Sequence, residues 1–241
     1  MHSSLTPAYV LHSRPYRDTS ALVDLLTLEH GVQRAVWRGA RKTRGGVTAQ
    51  PFIPLLVAVA GRGELKTLVQ AEAAGSYLAL KGDALFSGLY LNELLVRLLA
   101  PADPQTLIFA AYQRALEELA REEAVEPILR QFEWLLLEVM GYGFSLTEDA
   151  RGAPVQAQAN YVWQAEEGLQ KLPETPTDQA PPGLPGAGLL AMAEQDWSSV
   201  IALRTAKKLM RQALAVHLGS RPLVSRQLFT SPGSIPRGDR S

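Results

Sequence analysis

The sequence contains no cysteine in its 241 residues. That excludes a disulfide framework, a thiolate-held zinc or iron–sulfur centre, and a cysteine nucleophile. Long apolar runs are missing too. The longest, Leu55 to Ala60, falls far short of the ~20 residues that span a bilayer. No basic start followed by an apolar stretch marks a signal peptide. A cytoplasmic location and no membrane partner are therefore expected. Enzyme signatures are equally scarce. There is no G-x-S-x-G elbow, and Gly61-Arg62-Gly63-Glu64-Leu65-Lys66-Thr67 only loosely resembles a phosphate loop. It lacks a glycine directly before the lysine and lies between two strand-like segments, so it reads as a hairpin. His2, His12, His30 and His217 stand at no metal-ligand spacing. The pairs Glu117-Glu118 and Glu122-Glu123 read as a solvated helix end rather than a catalytic dyad. No catalytic residue, metal ligand or cofactor is expected.

Net charge of one sign is also missing: 24 Lys and Arg balance 24 Asp and Glu. The balance hides a segregation. Residues 1–80 carry nine basic and five acidic side chains, a surplus of +4. Residues 81–196 carry seven and eighteen, giving −11, and residues 197–241 carry eight and one, giving +7. Six cations and no acid lie between Glu29 and Glu64, and seven and none between Asp196 and Asp239. Such blocks create local fields that a net charge does not report, and they favour a polyanion partner over a uniformly mixed surface.

What is present is a change of period. Up to about residue 80 the chain reads as five short strands with glycine-marked turns: from Tyr9, over Ser20–Leu28, Val32–Gly39, Phe52–Ala60 and Leu65–Ala71. Such a pattern suits a small barrel of OB or SH3-like type. From Asp83 the period is helical. Asp83 is expected to cap a helix through Leu99, Asp103 a second to about Arg121, and Glu126-Pro127 to open a third that ends at Met140. Residues 145–188 are rich in proline and glycine, with a short strand expected at 161–163 and loop elsewhere. A last helix is expected from Ser198 to His217, followed by a short piece to Phe229 and a disordered tail.

The cations sit on definite elements. Arg34 and Arg38 are expected on one strand face, leading into Arg41, Lys42 and Arg44 on a glycine-flanked loop. A loop of that kind can follow a phosphodiester backbone, with glycine allowing close approach and cations releasing counterions. Trp37 projects from the opposite strand face and reads either as core or as a base-stacking platform. Tyr16 and Phe52 are weaker stacking candidates. Arg204, Lys207, Lys208 and Arg211 fall at i, i+3, i+4 and i+7 and make one helical stripe. Ala202, Ala206, Leu209, Ala213 and Val216 form the expected buried side. Close like charges repel by ~0.2–0.5 kcal/mol per pair, and no glutamate relieves this stripe, which favours a binding role. Arg221 and Arg226 extend the basic stretch past the helix end. Arg130 is the lone cation of the third helix, beside its apolar stripe. It suits either an acidic, apolar peptide tail or a pairing with Glu126 or Glu133.

Several segments together resemble the RecO family of DNA-repair proteins. They are Tyr9-Val-Leu-His-Ser-Arg-Pro-Tyr16 with Asp18-Thr-Ser20, Arg38-Gly-Ala-Arg-Lys42, Gln50-Pro-Phe52, Gly88-Leu-Tyr-Leu-Asn-Glu-Leu94, Gly141-Tyr-Gly143 and Arg221-Pro-Leu-Val-Ser-Arg226. The resemblance implies an α+β chain: an N-terminal OB-fold β-barrel, then an α-helical domain with a small insertion. The expected domains are 1–80 for the barrel, 81–144 with 189–230 for the helices, 145–188 for the insertion and 231–241 for the tail. It further implies recombinational repair without enzymatic activity: binding of single- and double-stranded DNA, strand annealing, and help in loading RecA together with RecR. The helical domain would contact the C-terminal tail of single-strand-binding protein, and the protein would be nucleoid-associated. Many members carry four zinc-ligating cysteines after the Gly-Tyr-Gly segment, and this chain has none, as in the zinc-free branch. Both basic clusters are expected to line one DNA path. An OB-fold RNA-binding or assembly module without annealing activity is the alternative, and a nucleic-acid enzyme a third.

Overall fold

In a computed structural model the described residues are 4–40, 47–173 and 183–229. Packing divides the chain into two compact units. One comprises residues 1–123 with 221–241, the other residues 124–220. This partition differs from the one drawn on sequence, which separated strands from helices at residue 80.

The first unit is built on a closed five-stranded barrel: β1 (Thr6–Tyr16), β2 (Ser20–Thr27), β3 (Gly31–Trp37), β4 (Leu55–Ala60) and β5 (Leu65–Ala73). The order around it is β1-β2-β3-β5-β4, with β3 and β5 parallel and β1 closing on β4. That closure is the OB arrangement and decides against an SH3-like barrel. Alternation puts Val10, Val23, Leu25, Ala35, Trp37, Leu55 and Val57 inside. Trp37 is therefore core, 9% exposed, and the stacking alternative for it is withdrawn. Phe52 lies outside any strand at φ 66°, 1% exposed, so it too is core. The β2–β3 turn needs Gly31, at φ 63°; a side chain there would also meet the Asp103 carbonyl.

Helix α1 (Gly82–Leu98) holds one of the segments that carried the family resemblance and meets three others. A bulge between Val10 and His12 sets Leu11 out of register. Its carbonyl accepts a hydrogen bond from Asn92 Nδ2 at 2.9 Å, and Tyr112 Oη donates to Asn92 Oδ1 at 2.5 Å. Gly88 is flat against Phe52 and Leu80, with no room for a Cβ. On a further side of the helix, Glu93 accepts from the backbone N–H groups of Val224 and Ser225 and from Ser225 Oγ. Arg97 donates to the carbonyls of Arg221 and Pro222. The returning segment, with its short helix α6 (Ser225–Leu228), is thereby strapped to α1.

Two expected caps are corrected. Asp83 lies inside the first turn of α1, whose N-cap is Lys81 without a side-chain bond. Helix α2 (Thr106–Ala120) starts after Gln105, and Asp103 accepts from the Gln105 side chain instead.

The second unit contains α3 (Val125–Val139), a three-stranded sheet ordered β7-β6-β8, and two further helices. The strands are β6 (Asn160–Gln164), β7 (Gly168–Lys171) and β8 (Leu184–Pro185). Helix α4 (Gly186–Ala193) packs on α5 (Val200–Leu218), where Gly188 leaves space for Thr205 Oγ1. Residues 145–173, expected as mostly loop, carry turns and sheet. Asp149 Oδ1 accepts from the backbone N–H groups of Arg151 and Ala153, and Tyr161 and Leu169 are 1% exposed. The tail expected at 231–241 lies outside the described residues.

Candidate nucleic-acid interface

Elementary OB geometry directs attention to the outer face of β2 and β3 and to the loops joining β1 to β2 and β4 to β5. A groove of about 770 Å³ lies there, with Leu22, Val32 and Leu99 as an apolar floor. Tyr16, Arg34 and Lys66 also line it. The β1–β2 turn passes through Arg17 at φ 54°, which places its guanidinium 5.2 Å from the Tyr16 ring centroid. A half-buried aromatic beside a groove, with a cation over its face, can accept a stacked base.

Arg34 points outward from β3, as alternation requires, but it is already paired. Its Nε lies 2.7 Å from Asp24 Oδ1, its cross-strand neighbour on β2. The Asp24 hydrogen bond raises the Arg34 pKa. Asp24 is 7% exposed, so this carboxylate is held in place by the arginine rather than by water. Arg34 therefore reaches a phosphate only by sharing its charge. Arg38 is exposed but follows the end of β3 rather than sharing its face. Arg41, Lys42 and Arg44 lie outside the described residues. Tyr16 was only a weaker stacking candidate from sequence, and Arg17 and Lys66 were not singled out. The signal that finds them is position at or beside the β1–β2 and β4–β5 connections of an OB barrel, not residue type.

In the second unit α5 carries the cationic stripe. Ser199 caps the helix, accepting from the Ala202 backbone N–H, and Gly219 ends it at φ 67°. Ala202, Thr205, Ala206, Leu209, Met210, Ala213 and Leu214 are buried. Val216, expected on that side, is 53% exposed because the buried face has rotated away by the last turn. Arg204 and Arg211 are exposed and make no ion pair with a described residue. Lys207 Nζ contacts Glu126 Oε1 at 2.6 Å, and Lys208 Nζ donates to the Gly183 carbonyl at 3.2 Å. The Lys207 hydrogen bond lowers the Glu126 pKa against the opposing effect of burial. The stripe thus contains two uncommitted guanidiniums and two engaged amines.

Arg221 and Arg226 belong to the barrel unit, not to the unit that holds α5. Arg221 is exposed, and Arg226 places its guanidinium 5.8 Å from the Tyr90 ring centroid. Arg130 is 8% exposed and its Nη2 lies 3.0 Å from Glu133 Oε1, one of the two pairings expected for it.

Among the described residues no group of three or more His, Asp or Glu is placed to hold a metal ion. No described helix is long and apolar enough to cross a membrane.

Comparison with known proteins bears on the whole chain. Residues 1–77 match the family model described as recombination protein O, N terminal, and residues 80–227 match the C-terminal one. A DNA repair protein RecO from Pseudomonas paraeruginosa is 55% identical over 230 residues, covering 95% of this chain and 96% of its own length. RecO proteins of Pseudomonas entomophila and Stutzerimonas stutzeri are 52% and 51% identical over 224 and 232 residues, again covering more than nine-tenths of each chain. With an OB-type barrel, helices bearing the shared motifs and matches along nearly all of its length, this chain belongs to the RecO family of DNA repair and recombination proteins.

Proposed function

We propose that this chain binds single- and double-stranded DNA and anneals complementary strands in recombinational repair. It acts with RecR and single-strand-binding protein to help RecA take over the strand, on DNA in the cytoplasm and without catalysing a reaction. The observation that carries this reading is the α5 stripe, where Arg204 and Arg211 are exposed without a described counter-ion on a helix whose other face is packed. A helix kept basic along one face and alanine-rich along the other fits a phosphate backbone better than a lipid surface, which would take bulky apolar anchors. The barrel groove supports the reading by offering an aromatic ring, Tyr16, with the Arg17 guanidinium over its face.

For Arg130 the burial and the Glu133 pair favour a structural role over recognition of an acidic tail. Titration of a labelled tail peptide against Arg130→Lys separates the two, because lysine keeps the charge but not the guanidinium fork. Equal affinity supports the structural role.

The reading is tested by strand annealing on single strands pre-coated with single-strand-binding protein. Faster annealing than the coated strands show alone is expected. No acceleration, with DNA binding retained, would leave a binding module and overturn the annealing function.

A further inference from the structure

The second unit holds a cavity of about 450 Å³ that the DNA reading does not use. It lies between the end of α3, the turns after it, the β6–β7 hairpin and the last turns of α5. Its volume is within the ~300–1,000 Å³ usual for small-ligand and side-chain sites.

The cavity is aromatic. The ring of Tyr142 stacks on His217 with centroids 3.7 Å apart and planes 23° from parallel. Phe144 lies 5.2 Å from Trp163 and, on another side, 5.3 Å from Trp134. One face of Tyr142 is covered by His217, yet Tyr142 is 49% exposed, so its opposite face and edges are open.

The cavity is also of one sign. Glu148, Asp149, Glu166 and Glu167 line it, and among the described residues no lysine or arginine does. Asp149 is occupied with backbone N–H groups, and Glu167 accepts from Gln170. Glu148 and Glu166 are exposed. Burial pushes the His217 pKa below its ordinary value, which disfavours a positive charge beside these carboxylates.

We propose that this cavity takes an arginine side chain from an extended segment of a partner protein, with the guanidinium on the open face of Tyr142 and Glu148 and Glu166 as its counter-ions. A planar guanidinium stacks on an aromatic ring, as a compact ammonium does not. A free polyamine carries no planar cation to stack on the ring. The site is separate from the α5 stripe in sign and in chemistry, so it stands or falls independently of DNA binding.

The test uses the full chain, free of DNA, and fluorescence anisotropy of labelled tetra-arginine, with tetra-lysine and tetra-glutamate for comparison. Tetra-arginine is expected to bind more tightly than tetra-lysine, and tetra-glutamate not at all. Tyr142→Ala and the double variant Glu148→Gln with Glu166→Gln are each expected to weaken tetra-arginine binding by roughly five-fold or more. Tyr142→Phe and Glu194→Gln, the latter an exposed acid outside the cavity, should leave it unchanged. The double variant alters only exposed side chains, so it decides the matter even if Tyr142→Ala perturbs folding. Wild-type affinity in the double variant, equal binding of tetra-lysine, or displacement of the peptide by an equimolar amount of spermidine would each overturn the proposal.

Discussion

Tyr16 and Trp37 show how differently two aromatic residues of one barrel are used. Trp37 completes the interior, while Tyr16 stands at the groove with Arg17 over its ring. Trp37→Ala is expected to cost about 3–5 kcal/mol of stability by opening a cavity. Tyr16→Ala should leave the melting temperature within a degree or two of wild type and weaken single-strand binding by about 1–3 kcal/mol, the worth of one stacked base. Thermal melts and equilibrium binding to an oligonucleotide check both. If Tyr16→Ala binds normally, the groove is not the stacking site. The inward aim of Trp37 was legible in the alternation of Val32, Arg34 and Val36 against Gln33, Ala35 and Trp37. The role of Tyr16 was not, because it depends on the left-handed turn at Arg17 and on closure of distant strands. The Asp24–Arg34 pair was hidden for a related reason: the register of β2 against β3 decides it, and composition does not report register.

At the scale of the element, α5 was the clearest signal, because spacings of three and four residues fix a face whatever surrounds it. What the spacing could not show is which cations are already engaged. The structure divides the stripe into Arg204 and Arg211, which face solvent, and Lys207 and Lys208, which meet Glu126 and Gly183. Replacing Arg204 and Arg211 by alanine is expected to flatten the dependence of log affinity on log salt by about 0.7 per lost contact on single strands and about 0.9 on duplex. Lys207→Ala should change it less, since that amine must leave Glu126 to reach a phosphate. Equal slopes for all three variants would show that the Glu126 pair does not compete. The expected cap at Asp83 failed for a simple reason: the helix begins at Gly82, two residues earlier than an Asp83 cap requires, after an extended Lys81.

For the whole molecule, the family segments were legible as a pattern but not as a mechanism of assembly. Gly88, Asn92 and Glu93 face Phe52, the Leu11 bulge and the returning segment at Ser225 respectively. These three residues hold parts of the barrel unit together. Burial alone would raise the Glu93 pKa. The hydrogen bonds from Ser225 and Val224, with Arg97 nearby, outweigh it and hold the carboxyl below its ordinary range. The sign follows: the contribution of Glu93 is complete above the unfolded carboxylate pKa of about 4.3 and is lost as pH falls through the lower folded value. Glu93→Ala should therefore cost about 1–3 kcal/mol at neutral pH, and the deficit against wild type should shrink on acidification below that range. Amide exchange at Val224 and Ser225 reads the same event locally. A deficit that does not change between pH 7 and pH 3 would show that the strap owes nothing to the ionised carboxylate.

The strap also has a consequence for the order in which the protein is made. Glu93 and Ser225 are separated by 132 positions. At a ribosomal rate of about 5–20 residues per second, the helix emerges on the order of ten seconds before the segment it must grip. The barrel unit therefore cannot be completed until the segment from residue 221 has been made, whereas residues 124–220 form one continuous stretch that needs nothing made later. Released chains truncated after residue 220 should thus contain a finished second unit and an unfastened first one.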